Sequence, residues 1–442
     1  MQAIDTLIFP RWIIPIEPEN AVLEAHAIAI HEGRIIAVLA AAAAESKYQA
    51  NNKLHLSDHV VMPGLVNTHT HSAMTLFRGM ADDLALMDWL ENHIWPTERR
   101  WMSNEFVYDG TQLAILEMLR SGTTCFNDNF FFPDSVARAA VEAGMRAVIG
   151  SPIINFPSPY AANADDYIAK ALENFHQWQK HPLISTMIAP HAPYTVDDQT
   201  FIKIKKIADD YSMRIHLHLH ETHGEIERSL VEYRKRPLKR IADLGLVSNR
   251  LICVHMTQLD NEDLKILQQA RAHVVHCPES NLKLASGLCP VTRFMLEKIN
   301  TALGTDGAGS NNDLDMITEM RTAALLAKVE ANDSTALNAT AALQMATING
   351  ARAIGLEQEI GSIVPGKQAD LIAINLADIN TQPVYHPSSH IVYAVNSRQV
   401  SDVWVAGKRL LQSGQFVNLD VKAMLAKANT WAEKFRLSKA VD

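Results

Sequence analysis

At 442 residues the chain exceeds what a single hydrophobic core usually supports, so a large barrel with a smaller unit, or two domains, is expected. Its composition, 48% hydrophobic and 20% charged, is that of an ordinary globular protein, and a net charge of −9 without basic runs argues against nucleic-acid polymers or anionic membranes as partners. The four cysteines (Cys125, Cys253, Cys277, Cys289) are scattered with no CxxC, which leaves neither a disulfide framework nor a cysteine zinc site and suits a reducing cytosol.

The first residues, "MQAIDTLIFPRW", lack a basic stretch leading into a long apolar one, so no targeting segment is expected. The longest apolar run, Ile35 to Ala44, is about half of a membrane span, and a cytoplasmic location follows as the expectation. His26 to Leu39 alternates apolar and polar residues around Glu32-Gly33, as a hairpin does. "VVMPGLV", Val60 to Val66, is short, apolar and β-branched, as a buried parallel strand should be. His69 and His71 follow it at i and i+2, on one face of an extended chain, where they can share a metal. A hydrogen-bonded histidine pair at a strand-to-loop junction is the plainer alternative.

From there strands and helices alternate. Eight short apolar runs recur: "VVMPGLVN", "GTTCFND", "MRAVIGS", "ISTMIAP", "RIHLHLH", "LICVHM", "AHVVHCP" and "NTALGTD". Between them lie amphipathic stretches such as "NEFVYDGTQLAILEMLRSG" and "DDQTFIKIKKIADDYS". Eight such units fit a (β/α)8 barrel; a doubly wound open sheet competes, but no Gly-rich phosphate loop follows the first strand. Near the end, Ala369 to Leu376 and Ser401 to Gly414 read as strands again, the latter turning at Ala406-Gly407. Strands at both ends suggest one small β-domain built from both termini, two unrelated β-appendages being the alternative, with expected boundaries of 1–61 and 362–442 (with a terminal helix) around a barrel at 62–361.

In a barrel of this kind the chemistry sits at the C-terminal strand ends. Six of the eight runs close in His or Asp there: His69 and His71, His191, the series His216, His218, His220 with Glu221 after it, His255, His276, and Asp306. His69, His71, one histidine of the fifth run and Asp306 would offer zinc three nitrogens and an oxygen, leaving a place for water. Period-two spacing puts His216, His218 and His220 on one face and does not choose among them.

The motifs "PGLVNTHTH", "HLHETHGE", "VVHCPESNLKLASG", "GTDGAGSNNDLDM" and "GSIVPGKQADLIAINL" together resemble the amidohydrolase superfamily, and within it the 5-methylthioadenosine/S-adenosylhomocysteine deaminases. The resemblance runs nearly end to end and implies a (β/α)8 barrel with a small β-sandwich built from both termini. It implies one zinc per subunit on His69, His71, His218 and Asp306, with iron, cobalt or manganese as other metals such a site accepts. It also implies Glu221 as proton carrier, with His255 and Asp306 at the reacting centre. Glu98 and His191 become substrate contacts, beside Glu221 and Asp306. Binuclear members carry a modified lysine after strand four; "STMIAPHAPYT" has none, so one metal is expected.

The implied reaction is hydrolytic deamination of a 5′-modified adenosine, a small nucleoside substrate. Rival readings are an aminohydrolase for guanine, cytosine, a pterin or a triazine, or a non-catalytic barrel scaffold. Relatives that accept S-adenosylhomocysteine tend to hold its charged tail with arginine near the end of strand three, where this chain has Ser151; Arg78 or a neighbouring subunit's arginine is the expected substitute. 5′-Methylthioadenosine is then expected to react at least as well. Apolar loop segments such as "NFFFPDS" are read as exposed and available to a homo-oligomer.

Overall fold

The computed structural model describes residues 1–439. Its centre is a ring of eight parallel strands in sequence order: Leu65–Thr70, Thr123–Asn129, Arg146–Ile153, Ile184–Pro190, Ile215–Leu219, Leu251–His255, His273–His276 and Thr301–Leu303. Their residues are almost all buried, since one side faces the barrel interior and the other is covered by helices. The seam between strands eight and one is closed by loop contacts. Asp306 N–H donates to the His69 carbonyl (3.0 Å) and Thr305 N–H to the Asn67 Oδ1 (3.1 Å). Gly304 permits this approach, because a Cβ there would lie 2.7 Å from the His69 nitrogen.

The helices form where the spacing places them. Asp198–Asp210 starts on Asp197, whose carboxylate accepts the Thr200 N–H (2.8 Å), and buries Phe201, Ile204 and Ala208 on one face. Asn104–Arg120 starts on Ser103, which accepts the Phe106 N–H (3.1 Å).

The two ends of the chain build a mixed nine-stranded sheet. Both expected hairpins are present: His26–His31 pairs with Arg34–Ala40, and Val400–Val405 with Lys408–Gln412. Each turn holds two residues at positive φ, Glu32 and Gly33 (48° and 77°), Ala406 and Gly407 (48° and 73°), the type I′ geometry that suits twisted strands. The centre is a 16-residue strand, Tyr48–Pro63, which pairs with Gln2–Ile13 on one side and Leu371–Asn375 on the other. Ile8, Ile28 and Ile30 share one apolar cluster with Val61, Leu371 and Trp404, so the sheet folds over itself as a sandwich. The alternate residues Val60 and Met62 face the barrel core. Arg146, at the start of the third barrel strand, locks the two units through a bidentate pair with Asp370 (2.7 and 3.0 Å), both side chains buried.

The structure corrects one strand. "VVMPGLV" is not a single strand: Val60–Pro63 end the terminal sheet, and the barrel begins at Leu65. Gly64 marks the change of sheet, and a Cβ there would strike the Thr124 side chain at 2.1 Å. Apolarity signals burial, and both halves are buried, but it does not signal which sheet buries them. The final helix, Val421–Lys439, docks on Asn104–Arg120 through Trp431, whose indole N–H donates to Asp109 (3.1 Å). Among the described residues no helix is long and apolar enough to cross a membrane.

Candidate active site

At the C-terminal mouth of the barrel His69, His71 and Asp306 present donor atoms within 4.8 Å of one another, and His69, His218 and His255 form an overlapping group. The Asp306 Oδ1 lies 3.2 Å from both His69 Nε2 and His71 Nε2, and His71 Nε2 is 3.3 Å from His218 Nε2. Four ligands about 2.0–2.1 Å from a tetrahedral ion stand about 3.3–3.4 Å apart, so these spacings fit zinc. The ring orientations agree. His71 Nδ1 is tied to the Asn129 carbonyl (2.5 Å) and His218 Nδ1 to the His191 carbonyl (2.7 Å), which turns both Nε2 atoms inward. Two imidazole nitrogens facing each other at that distance need a cation. With only a proton to serve, burial pulls His71 down but the Asp306 carboxylate outweighs it and lifts the pKa to about 9. Burial and neighbouring histidines push His218 well below its ordinary value, and burial holds His69 at about 4.

The structure separates the three histidines of strand five. His216 lies behind the site, its Nε2 3.2 Å from His69 Nδ1. His218 joins the cradle. His220 falls beyond the strand at φ 53°, with Nδ1 on the Gln258 carbonyl (2.9 Å) and Nε2 accepting the Leu238 N–H (2.9 Å). His276 is buried outside the cradle.

His255 and Asp306 both adopt left-handed backbone conformations (φ 75° and 62°), a strain concentrated at the strand ends where the chemistry gathers. Asn281 Oδ1 accepts the His255 Nδ1–H (2.8 Å), which leaves His255 Nε2 facing Glu221 Oε2 at 3.8 Å. Ser280 and Ser310 donate to Asp306 Oδ2 (2.6 and 2.9 Å), so its orientation is set from behind. Histidine hydrogen bonds hold the Asp306 pKa well below the usual carboxylate range against the opposing effect of burial. Glu221 goes the other way, raised chiefly by burial.

Above these groups opens a largely apolar cavity. Glu98 and His191 lie on its wall with Trp89, Trp95 and Phe156. Burial pushes Glu98 up to about 8, while burial and nearby histidines bring His191 to about 4. His191 Nδ1 is 3.0 Å from the Thr195 hydroxyl. Every site residue expected from the sequence therefore borders one cavity or its floor.

Three expectations about the surroundings need correction. Ser151 is buried with its hydroxyl 3.2 Å from Asn174, so position 151 does not border the cavity; Pro152 and Ile154 do. Arg78 does not border the cavity, and Glu117 (3.1 Å) and the Asn312 carbonyl hold its guanidinium. The cation on the cavity wall is Arg99, which the sequence reading missed although it adjoins Glu98. "NFFFPDS" is not an exposed patch either: Phe130 is 5% exposed, and Phe130 and Phe131 line the cavity.

A parallel barrel with histidine and aspartate donors gathered at its C-terminal mouth, beside a buried glutamate, has the build of a metal-dependent barrel hydrolase. Residues 60–410 match the profile of the amidohydrolase family, and the chain belongs to that family. It is 47% identical over 431 residues to a 5-methylthioadenosine/S-adenosylhomocysteine deaminase of Teredinibacter turnerae, covering 98% of both chains. A protein of the same name from Saccharophagus degradans is 46% identical, over 99% of this chain and 98% of its own. Among solved structures, an adenosine deaminase of Xanthomonas campestris with bound zinc superposes with a TM-score of 0.98 at 50% identity, covering 99% of each chain. An atrazine chlorohydrolase of Arthrobacter aurescens shares the fold (TM-score 0.90, 96% of this chain and 99% of its own) at 21% identity.

Proposed function

We propose that the protein is a zinc-dependent deaminase of 5′-modified adenosines, converting 5′-methylthioadenosine to 5′-methylthioinosine and S-adenosylhomocysteine to S-inosylhomocysteine with release of ammonia. The observation that carries this reading is the cradle of His69, His71, His218 and Asp306 beside Glu221 and His255, beneath a cavity that bears Glu98. The names of the relatives and the zinc of the 50%-identical structure support it. Zinc held there supplies Lewis acidity and brings the pKa of water near ~7.

The remaining chemistry belongs to side chains. Glu221, whose pKa burial raises, gives a proton to the ring nitrogen next to C6, which makes that carbon electrophilic. Water adds to C6. Asp306, ionised, accepts a proton from it, and the His255 Nε2 accepts a hydrogen bond from the same oxygen. The proton passes from Asp306 to the amino group, the C6–N bond breaks to release ammonia, and the remaining hydroxyl proton returns to the Glu221 carboxylate, leaving a carbonyl at C6. Glu98 binds the ribose hydroxyls and His191 the purine edge.

The 5′ end is held by apolar wall such as Trp95 and Phe156, which suits an uncharged thiomethyl group, while Arg99 offers a cation to a carboxylate tail. We therefore expect 5′-methylthioadenosine to react at least as efficiently as S-adenosylhomocysteine, adenosine to be accepted, and free adenine to be poor. Arg99→Ala should weaken S-adenosylhomocysteine selectively. The test is ammonia release across adenosine derivatives and other aminated rings, with elemental analysis of the metal. One zinc per chain and preference for 5′-modified adenosines support the reading; two metals, or guanine or cytosine outperforming every adenosine derivative, refute it.

A cytoplasmic homo-oligomer is the state we propose. Its support is that the four cysteines are free and that Met295, Leu296, Leu325 and Val329 are exposed on two contacting helices. Sedimentation at monomer mass would exclude the oligomer.

A further inference from the structure

Glu221 stands on a turn, between the end of strand five at Leu219 and a helix that begins at His223. No strand ladder holds such a residue, and its place depends on what its peptide groups bind. Glu225 binds them. Its Oε1 accepts the His220 N–H (3.1 Å) and its Oε2 the Glu221 N–H (2.8 Å). The Thr222 hydroxyl in turn accepts the Glu225 N–H (3.3 Å), which is half of a capping box, while the glutamate reaches past the cap to the two residues before it instead of to the Thr222 N–H. The carbonyl side is fixed as well. The His220 carbonyl accepts the Thr257 and Gln258 N–H groups (3.0 and 3.1 Å), and the Glu221 carbonyl accepts the Thr257 hydroxyl (2.7 Å).

Glu225 is only 8% exposed, and its carboxylate is close enough to that of Glu221 to feel its charge. A helix cap alone would be served as well by an exposed glutamate without the cost of burying a carboxylate. We infer that Glu225 is a positioning residue that sets the direction of the Glu221 carboxyl towards the reacting ring. The inference rests on the reading of Glu221 as the proton carrier.

A double-mutant cycle on the zinc-loaded enzyme with 5′-methylthioadenosine tests it. Glu225→Ala should lower kcat by about 10²-fold, the scale of an ångström of misplacement, with KM and zinc content unchanged. Glu225→Gln keeps one acceptor and should lose less; it also carries the test if the alanine variant does not fold. In the Glu221→Gln background Glu225→Gln should cost no more than about three-fold further, because the group it positions is already disabled. A Glu225→Ala kcat within about three-fold of wild type, or a Glu225→Gln loss that multiplies in full onto Glu221→Gln, overturns the inference. Wild-type turnover by Glu221→Gln would instead overturn the reading of Glu221 itself, and the two failures are thereby distinct.

Discussion

Replacing Glu98 with glutamine should stabilise the protein while harming its action on nucleosides, and the stabilisation should grow with pH. The Glu98 side chain is buried on the cavity wall, where desolvation lifts its pKa from 4.5 to about 8 although His71 pulls it down. A carboxyl whose folded pKa lies above its unfolded one takes up a proton on folding. The associated stability is complete below about pH 4.5 and is lost as pH rises from there to about 8. At about 1.4 kcal/mol per pH unit the loss comes to about 3 kcal/mol at pH 7 and about 5 kcal/mol above pH 8. Glutamine is neutral in both states and escapes it. Urea unfolding of wild type and Glu98→Gln, followed by circular dichroism from pH 5 to pH 9, should show the two midpoints together at the acid end and diverging above it. Other titrations cancel in the difference. A gap that stays constant across the range would refute the reasoning, because it would mean that Glu98 is ionised in the empty cavity. In the same samples Glu98→Gln should lower kcat/KM for 5′-methylthioadenosine and leave any activity on free adenine unchanged.

Zinc must displace the proton that His71 holds below about pH 9, so affinity should rise up to about tenfold per pH unit between pH 6 and 8; a chelator competition showing no such rise would contradict the assigned cradle. Glu221→Gln should keep its zinc and fold but lose about 10²–10⁴ in turnover, and ammonia release within a few-fold of wild type would make Glu221 structural. Asp370→Ala strands the buried Arg146 guanidinium and should cost about 3–5 kcal/mol in urea unfolding, with kcat/KM of the folded enzyme unchanged; an unshifted midpoint would show the pair to be dispensable.

The barrel and the donors at its strand ends are legible in the sequence because both recur on a short period, whereas the roles given to Glu98, His191, Glu221 and His255 rest on the family resemblance. His69 and His71 stand at i and i+2 after an apolar strand, and a strand end is where a barrel does its chemistry. His218 was another matter. Spacing alone could not separate it from His216 and His220, since what divides them is a left-handed residue at 220 and the packing of one ring behind another. Contacts across long separations were equally hidden. Arg78 looked available because its partners, Glu117 and Asn312, lie 39 and 234 positions away. Phe130 and Phe131 read as a surface loop because a cavity wall and an exposed patch have the same composition. The Glu225 clamp did leave a signal, Thr222 followed by glutamate at the third position, the pattern of a capping box.

The union of the chain's two ends in one sheet orders its own synthesis. Strands within residues 2–63 can pair as soon as they emerge, but the His59–Pro63 end of one edge stays open until Leu371–Asn375 arrives. Until then Arg146 has no Asp370, and the barrel is tethered to an unfinished sheet. A nascent chain halted before residue 370 thus leaves the apolar edge at His59–Pro63 unpaired, the kind of surface on which chains aggregate. Fragments released from the ribosome that end at residues 365 and 385 should therefore differ in protease resistance at residues 59–63, with the shorter one cut.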